Sequence, residues 1–215
     1  MPADVPAAHQ RVLEAAVRKG VTLQIVTFDE STHTAVEAAA AVGAEISQIV
    51  KSLVFVAPRE DGSLEPYIGL VAGPDRVDVA RLAAVLGEPG VRRATAREAN
   101  ALTGFVIGGI PPIGHVRPIR VVMDPELGRH QIVWAAAGTQ NAVFAVAPAT
   151  LRMLANATVV PIAERSGEVP PTDAQGDLAQ SGGGSGAGAA SIGATRPEQA
   201  TGSGDSPSAG MRAAP

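Results

Sequence analysis

The chain has 215 residues, no cysteine and a formal net charge of −4 at pH 7. Without cysteine, disulfides, zinc–thiolate sites and thiol nucleophiles are excluded, and no apolar run reaches the roughly 18 residues of a membrane span. The charge is uneven, −1 over residues 1–165 and −3 over residues 166–215. This is not the strongly basic domain that grips long duplex nucleic acid, so no DNA or membrane partner is expected. A short single-stranded end needs only a local basic spot and stays within reach.

Composition also divides the chain. Every aromatic residue lies between Phe28 and Phe144, and eleven of the 24 glycines follow residue 165. A stretch so poor in branched and aromatic side chains cannot bury enough apolar surface to offset its ordering entropy. Residues 1–165 are expected to be one domain and residues 166–215 a disordered Gly/Ser/Ala/Pro-rich tail. A domain of that size buries about 70% of its unfolded surface. Asp4 and the lack of a signal-peptide apolar region lead to the expectation of a soluble, cytoplasmic protein.

In chain order, Val5, Ala8, Val12, Leu13, Ala16 and Val17 share one helical face, and Gly20 ends that helix. Residues 21–28 alternate and are β-branched, which predicts a strand. Thr34 to Glu37 is a capping box before an alanine-rich helix ending at Gly43. A helical turn over 45–50 leads into an apolar strand over 51–57. Asp61-Gly62 is a hairpin signal, and the returning strand covers 64–72. Helices follow over 77–86 and from the capping box Thr95–Glu98 to Gly104. Residues 105–117 form an apolar loop punctuated by Gly and Pro. Strands are predicted over 118–123, 131–137 and 142–147, a helix from Pro148 to 155, and a last strand over 157–162. Consecutive strands without strict βα alternation imply an α+β, mixed α/β fold with a mixed, mostly antiparallel sheet curled round a core.

Three stretches can carry chemistry. The chain has 15 arginines and only two lysines, Lys19 and Lys51. Lys19 suits a helix C-terminus. Lys51 interrupts an apolar strand entry, where a compact charge on a flexible stem can reach a phosphate or carbonyl oxygen; a lysine snorkelling at a sheet edge is the other reading. The run from Gly104 to His115 contains Gly108-Gly109-Ile110-Pro111-Pro112. Such a loop can aim N–H groups at an oxyanion or be an ordinary tight connection. Ala136 to Asn141, with Gly138 and Thr139, suits a pocket at a strand end or a plain β-turn. His115 either borders the loop site or is a satisfied structural histidine. His9 and His130 read as surface residues, and His33 with Glu37 is too little for a metal site. Asp124-Pro125-Glu126 reads as a turn. Walker A, dinucleotide, HExxH and GxSxG patterns are absent.

Together these residues resemble the YbaK/EbsC family, the prolyl-tRNA synthetase-associated or aminoacyl-tRNA editing domain. The resemblance runs over residues 5–163 and rests on AAAAVGAEISQIVKSLVF (38–55), GPDRVDVARLAAVLG (73–87), LTGFVIGGIPPIGH (102–115) and AAAGTQNAVFAVAPATLRML (135–154). It implies a curled, barrel-like mixed sheet flanked by helices. It implies a trans-editing deacylase, free-standing or inserted in prolyl-tRNA synthetase. Such an enzyme hydrolyses the ester between a wrong, small amino acid and the 3′-terminal adenosine of tRNA(Pro) or a similar tRNA, without metal or cofactor. An aminoacyl-tRNA synthetase is a second expected partner. A catalytically inactive module that binds a tRNA end or nucleotide is the alternative.

Under this resemblance Lys51, Gly108 and Gly109 are the catalytic residues: Lys51 engages the terminal phosphate or adenosine, and the glycine N–H groups bind the ester carbonyl. Thr27, Phe28, Ser52, Ile110, Pro111, Gly114, His115, Gly138 and Thr139 are the expected substrate-binding residues. A water attacks, assisted by the free ribose hydroxyl of the substrate. The chain departs from the cysteinyl-tRNA-deacylating branch where that branch has a serine, here Ala136, and an aspartate, here Val143. Its pocket is therefore expected to be more apolar. The tail either docks on a synthetase or ribosome-associated partner or is inert.

Overall fold

The computed structural model describes residues 5–29 and 34–164. The expected tail over 166–215, and His33, lie outside the described residues.

Helix α1 (Ala7–Val17) leads to strand β1 (Ile25–Thr27) and α2 (Ala35–Val42). A 3-10 turn (Ile46–Gln48) enters the hairpin of β2 (Ile49–Pro58) and β3 (Leu64–Ala72). Then come α3 (Val79–Leu86), the two-residue strand β4 (Arg92–Arg93), α4 (Ala96–Thr103), β5 (Arg120–Met123) and a second 3-10 turn (Pro125–Arg129). The last elements are β6 (Val133–Ala136), β7 (Ala142–Val146), α5 (Pro148–Ala155) and β8 (Thr158–Val159).

Both predicted capping boxes form. The Thr34 hydroxyl accepts the Glu37 N–H at 3.2 Å and the Glu37 carboxylate accepts the Thr34 N–H at 3.3 Å. Thr95 and Glu98 repeat the exchange at 3.3 and 2.8 Å. The strand expected over 21–28 contracts to three residues, because only Ile25 to Thr27 find partners on β7. The final strand contracts to Thr158–Val159, and β4 is an element that no periodicity marks, being two residues long.

The sheet runs β1-β7-β6-β2-β3-β5-β8, with β4 attached to β2 off this path. Its pairings β2–β6, β3–β5 and β5–β8 are parallel and the other four antiparallel. The sheet is mixed and stays open, with β1 and β8 as its edges. Alternation along β2 divides the core. Val50, Val54 and Val56 join Val12, Leu70, Phe105, Phe144 and Leu151 on one face. Phe55 and Ala57 join Tyr67, Val71, Leu82, Val122 and Ile162 on the other. Ser52 accordingly shares a face with Val50 and Val54, and Lys51 shares one with Leu53 and Phe55.

Candidate active site

β2 forks. Its edge away from β3 pairs with β6 only at Ile49 and Val50, and with β4 only at Phe55 and Val56. Between these ladders the edge has no strand partner among the described residues. On this edge the Val54 carbonyl accepts the Ala94 N–H at 3.0 Å. Since residues i and i+2 direct their backbone groups the same way, the N–H and C=O of Ser52 face the gap.

A cavity of about 220 Å³ occupies the gap. Its apolar lining includes Ala38 from α2, Ala99 from α4, Trp134 and Ala136 from β6, and Ala142 and Val143 from β7. Its polar lining is Thr34, Lys51, Ser52, Arg93 and Gln140, and no Asp, Glu or His lines it among the described residues. Among those residues no three His, Asp or Glu side chains gather as a metal site. The Ser52 hydroxyl is buried and has no hydrogen-bond partner among the described residues. A buried orphan of this kind is costly unless a ligand satisfies it. Ala136 and Val143 stand directly opposite each other across β6 and β7, so the two departures from the cysteinyl branch form one apolar wall.

Lys51 and Arg93 are the two cations of the lining. Lys51 donates to the backbone carbonyl of Asp75, in the turn after β3. Burial pushes its ammonium below the ordinary lysine value, the Asp75 carboxylate partly opposes this, and Arg93 and Arg76 add to the lowering. The Asp75 carboxyl is pushed up, by burial first and then by the charges of Asp124 and Glu126. Arg93 sits on β4, with its guanidinium 5.4 Å from the centre of the Phe55 ring. Its side chain stays partly exposed, yet crowding around the guanidinium lowers its pKa by desolvation. Sequence reasoning missed Arg93. The only local signal was an Arg-Arg pair ahead of a capping box.

The Gly/Pro loop supplies a wall. Gly108 and Ile110 line the cavity. Gly109 does not, and its N–H, expected to bind the ester carbonyl, donates instead to the Val106 carbonyl at 3.0 Å. A Cβ there would stand 2.6 Å from the Thr139 carbonyl carbon, so glycine lets the two loops touch. Gln140 closes the contact by donating to the Ile107 carbonyl at 2.8 Å.

The structure therefore brings Lys51, Ser52, Gly108 and Ile110 together in one chamber. The other expected residues lie outside its lining. Thr27 pairs with Ala142, and the Phe28 carbonyl accepts from Asn141 at 3.0 Å. Thr139 is held between two partners: its hydroxyl donates to Asn141 at 2.8 Å and accepts from His9 at 2.9 Å. His9, expected at the surface, is 5% exposed, because α1 packs on this turn. Gly138 lies against the Ala8 backbone. His115 donates to the Pro111 carbonyl at 2.8 Å and meets Phe105 edge to face at 6.1 Å, and with Gly114 it faces a different groove.

The mixed sheet thus carries a small apolar chamber at an open strand edge, lined also by Lys51 and Arg93 and by no acid–base side chain of Asp, Glu or His among the described residues. The model of the aminoacyl-tRNA editing domain matches residues 29–154, and the chain belongs to that family. It is 42% identical to a candidate trans-editing enzyme for prolyl-tRNA synthetase of known crystal structure, with a TM-score of 0.68 over 75% of this chain and 100% of that one. It is 30% identical to the protein YwhH of Bacillus subtilis, covering 59% of this chain and 78% of that protein. It is 29% identical to the Ser/Thr-tRNA deacylase ProXp-y of Escherichia coli, over 55% of this chain and 70% of the relative. The match to a proline–tRNA ligase of Limosilactobacillus fermentum, 35% identical, takes in 44% of this chain and only 17% of that enzyme. Among the described residues no helix is long and apolar enough to cross a membrane.

Proposed function

We propose that the chamber hydrolyses the ester joining a small, wrongly attached amino acid to the 3′-terminal adenosine of a tRNA, in trans. The observation that carries the reading is the pairing of Lys51 and Arg93 with an apolar chamber at the open edge of β2. The cations suit the terminal phosphate. The small residues Ala136, Ala142 and Val143 suit a short side chain. The Gly108 N–H and the Ser52 backbone donor suit the ester carbonyl, where negative charge develops.

Water adds to the carbonyl carbon, the acyl C–O bond to the ribose breaks, and the ribose oxygen leaves with a proton. No carboxylate or imidazole stands in the described lining, so the vicinal ribose hydroxyl of the substrate relays that proton. The amino acid leaves through the open edge. The reading points to tRNA(Pro) or a similar tRNA as partner, an aminoacyl-tRNA synthetase as the source of the error, and the cytoplasm as the place. In this scheme Lys51, Ser52, Arg93 and Gly108 touch substrate, and Gly109 positions Gly108.

The test is amino acid release from tRNA charged with Ala, Ser, Cys or Thr, compared with the same tRNA lacking the vicinal hydroxyl on its last ribose. Release from the first is expected. A fall of about 100-fold or more is expected with the second, the usual size of a general-base contribution. Equal rates would place the base in the protein.

A further inference from the structure

The loop after α4 has two faces. Ile107, Gly108 and Ile110 line the candidate active site. Pro112 to Pro118 line a second groove, of about 450 Å³, against the end of α1 and the end of α5. Arg18, Lys19 and Arg117 supply its charge, and among the described residues no Asp or Glu lines it. Burial pushes the His115 imidazole below its ordinary value. Lys19 donates to the Met153 carbonyl at 3.0 Å and ties α1 to α5. Glu14 lies 3.9 Å from Arg18, and both side chains are about two-thirds exposed, too loose a pair to neutralise the groove. Arg18 and Arg117 are left facing solvent beside an apolar floor that includes Ile113, Ile119 and Leu154.

The two faces belong to one loop that is tied to α1 and α4. Arg11 donates to the Gly104 carbonyl at 2.6 Å and stacks 4.0 Å from the centre of the Phe105 ring. The Val116 N–H donates to the Thr103 carbonyl at 3.1 Å. A Cβ on Gly114 would stand 3.0 Å from the Arg11 carbonyl oxygen, so loop and helix are in contact. Ile110 and Arg117 are seven residues apart, which is at most roughly 25 Å of chain. A molecule with its end at Ile110 therefore needs little further length to reach Arg117.

We propose that this groove binds backbone phosphates of the same tRNA whose 3′ end enters the chamber, with Arg18 and Arg117 as the phosphate-binding residues. The proposal rests on the function proposed above. A nearly neutral domain must hold RNA through local cationic contacts, and phosphate contacts set the register of a nucleic acid while leaving its sequence unread. An A-form stem is recognised through its backbone and shape, which suits two exposed arginines beside one groove.

The experiment uses the Arg18→Ala/Arg117→Ala double variant and the matching double Lys variant of the full chain. Binding of uncharged tRNA is measured against salt concentration, and hydrolysis is measured on aminoacyl-tRNA and on 3′-aminoacyl-adenosine, which has no stem. The Ala variant is expected to bind tRNA about tenfold or more weakly. Its slope of log affinity against log salt should be shallower by about 1 to 2. Its KM for aminoacyl-tRNA should rise with kcat unchanged, and its rate on aminoacyl-adenosine should equal that of the wild type. The Lys variant should recover most of the binding. Unchanged tRNA affinity and salt slope would overturn the proposal, as would equal losses on both substrates. Wild-type protein that hydrolyses neither substrate would sink the proposed function, while the binding arm still decides the groove.

Discussion

Arg93→Ala separates a functional cation from a structural one. Arg93 stands opposite Phe55 on β4, with its guanidinium 5.4 Å from the ring centre. Removing it loses a cation–π contact of about 0.5–1 kcal/mol at a partly exposed site. It also removes a like charge that lowers the pKa of Lys51. These effects oppose each other, so stability should change by less than about 1 kcal/mol, a shift of a few degrees in Tm for a domain of this size. The loss to substrate is larger. One charge-assisted hydrogen bond to a phosphate contributes about 1.5–3 kcal/mol, which is about 10- to 150-fold in kcat/KM. Initial rates on mischarged tRNA, taken alongside thermal melts, read both quantities, and Arg93→Lys should recover part of the activity. A variant with unchanged Tm and kcat/KM within about twofold of wild type would refute the assignment of Arg93 to the substrate.

Other outcomes follow from the same geometry. Asp124 is 1% exposed and accepts the N–H groups of Glu126 at 3.0 Å and of Ile162 and Ala163 at 2.8 Å. Asp124→Ala strands the last two in the core, at about 1–3 kcal/mol each, so urea unfolding should show a loss of about 2–6 kcal/mol; a loss under about 1 kcal/mol would mean the clamp is dispensable. Gly109→Ala puts a Cβ 2.6 Å from the Thr139 backbone. Overpacking of this kind costs about 1–3 kcal/mol, and kcat should fall because the Gly108 wall moves; wild-type kcat would show that this wall is not in the reaction. Burial lowers the Lys51 pKa, so its charge is lost on the alkaline side earlier than that of a free lysine. Binding of a stable 3′-aminoacyl-amide analogue should weaken there in wild type and stay flat in Lys51→Arg. The same depressed pKa makes the charged lysine unfavourable to the fold, so its contribution to stability rises with pH up to the ordinary lysine value.

Much of the fold is local and was therefore legible. The capping boxes at Thr34 and Thr95, the Asp61-Gly62 hairpin and the proline that opens α5 are decided within a few residues. Lys51 was legible by contrast, as a lysine kept within an apolar strand of an arginine-rich chain. What was hidden depends on distant partners. Arg93 matters because β4 meets β2 just past the fork, and a two-residue strand has no period to detect. Asp124 looked like the start of a turn, and it is one, but its second oxygen binds residues 38 and 39 positions onward. Thr139 had the composition of a pocket residue, and its hydroxyl is spent on Asn141 and His9, the latter 130 positions away. The glycines at 108 and 109 looked equivalent in sequence. Only the packing of one against Thr139 separates the wall of the chamber from its support.

The role of Lys51 in deacylation is decided by the rate of amino acid release from a panel of mischarged tRNAs by wild type and Lys51→Ala, with circular dichroism melts of both. Wild type is expected to release a small amino acid, and Lys51→Ala to lose at least about 100-fold with its melting transition retained. A folded Lys51→Ala protein that deacylates at the wild-type rate, or a wild type that leaves every charged tRNA intact, would contradict that role.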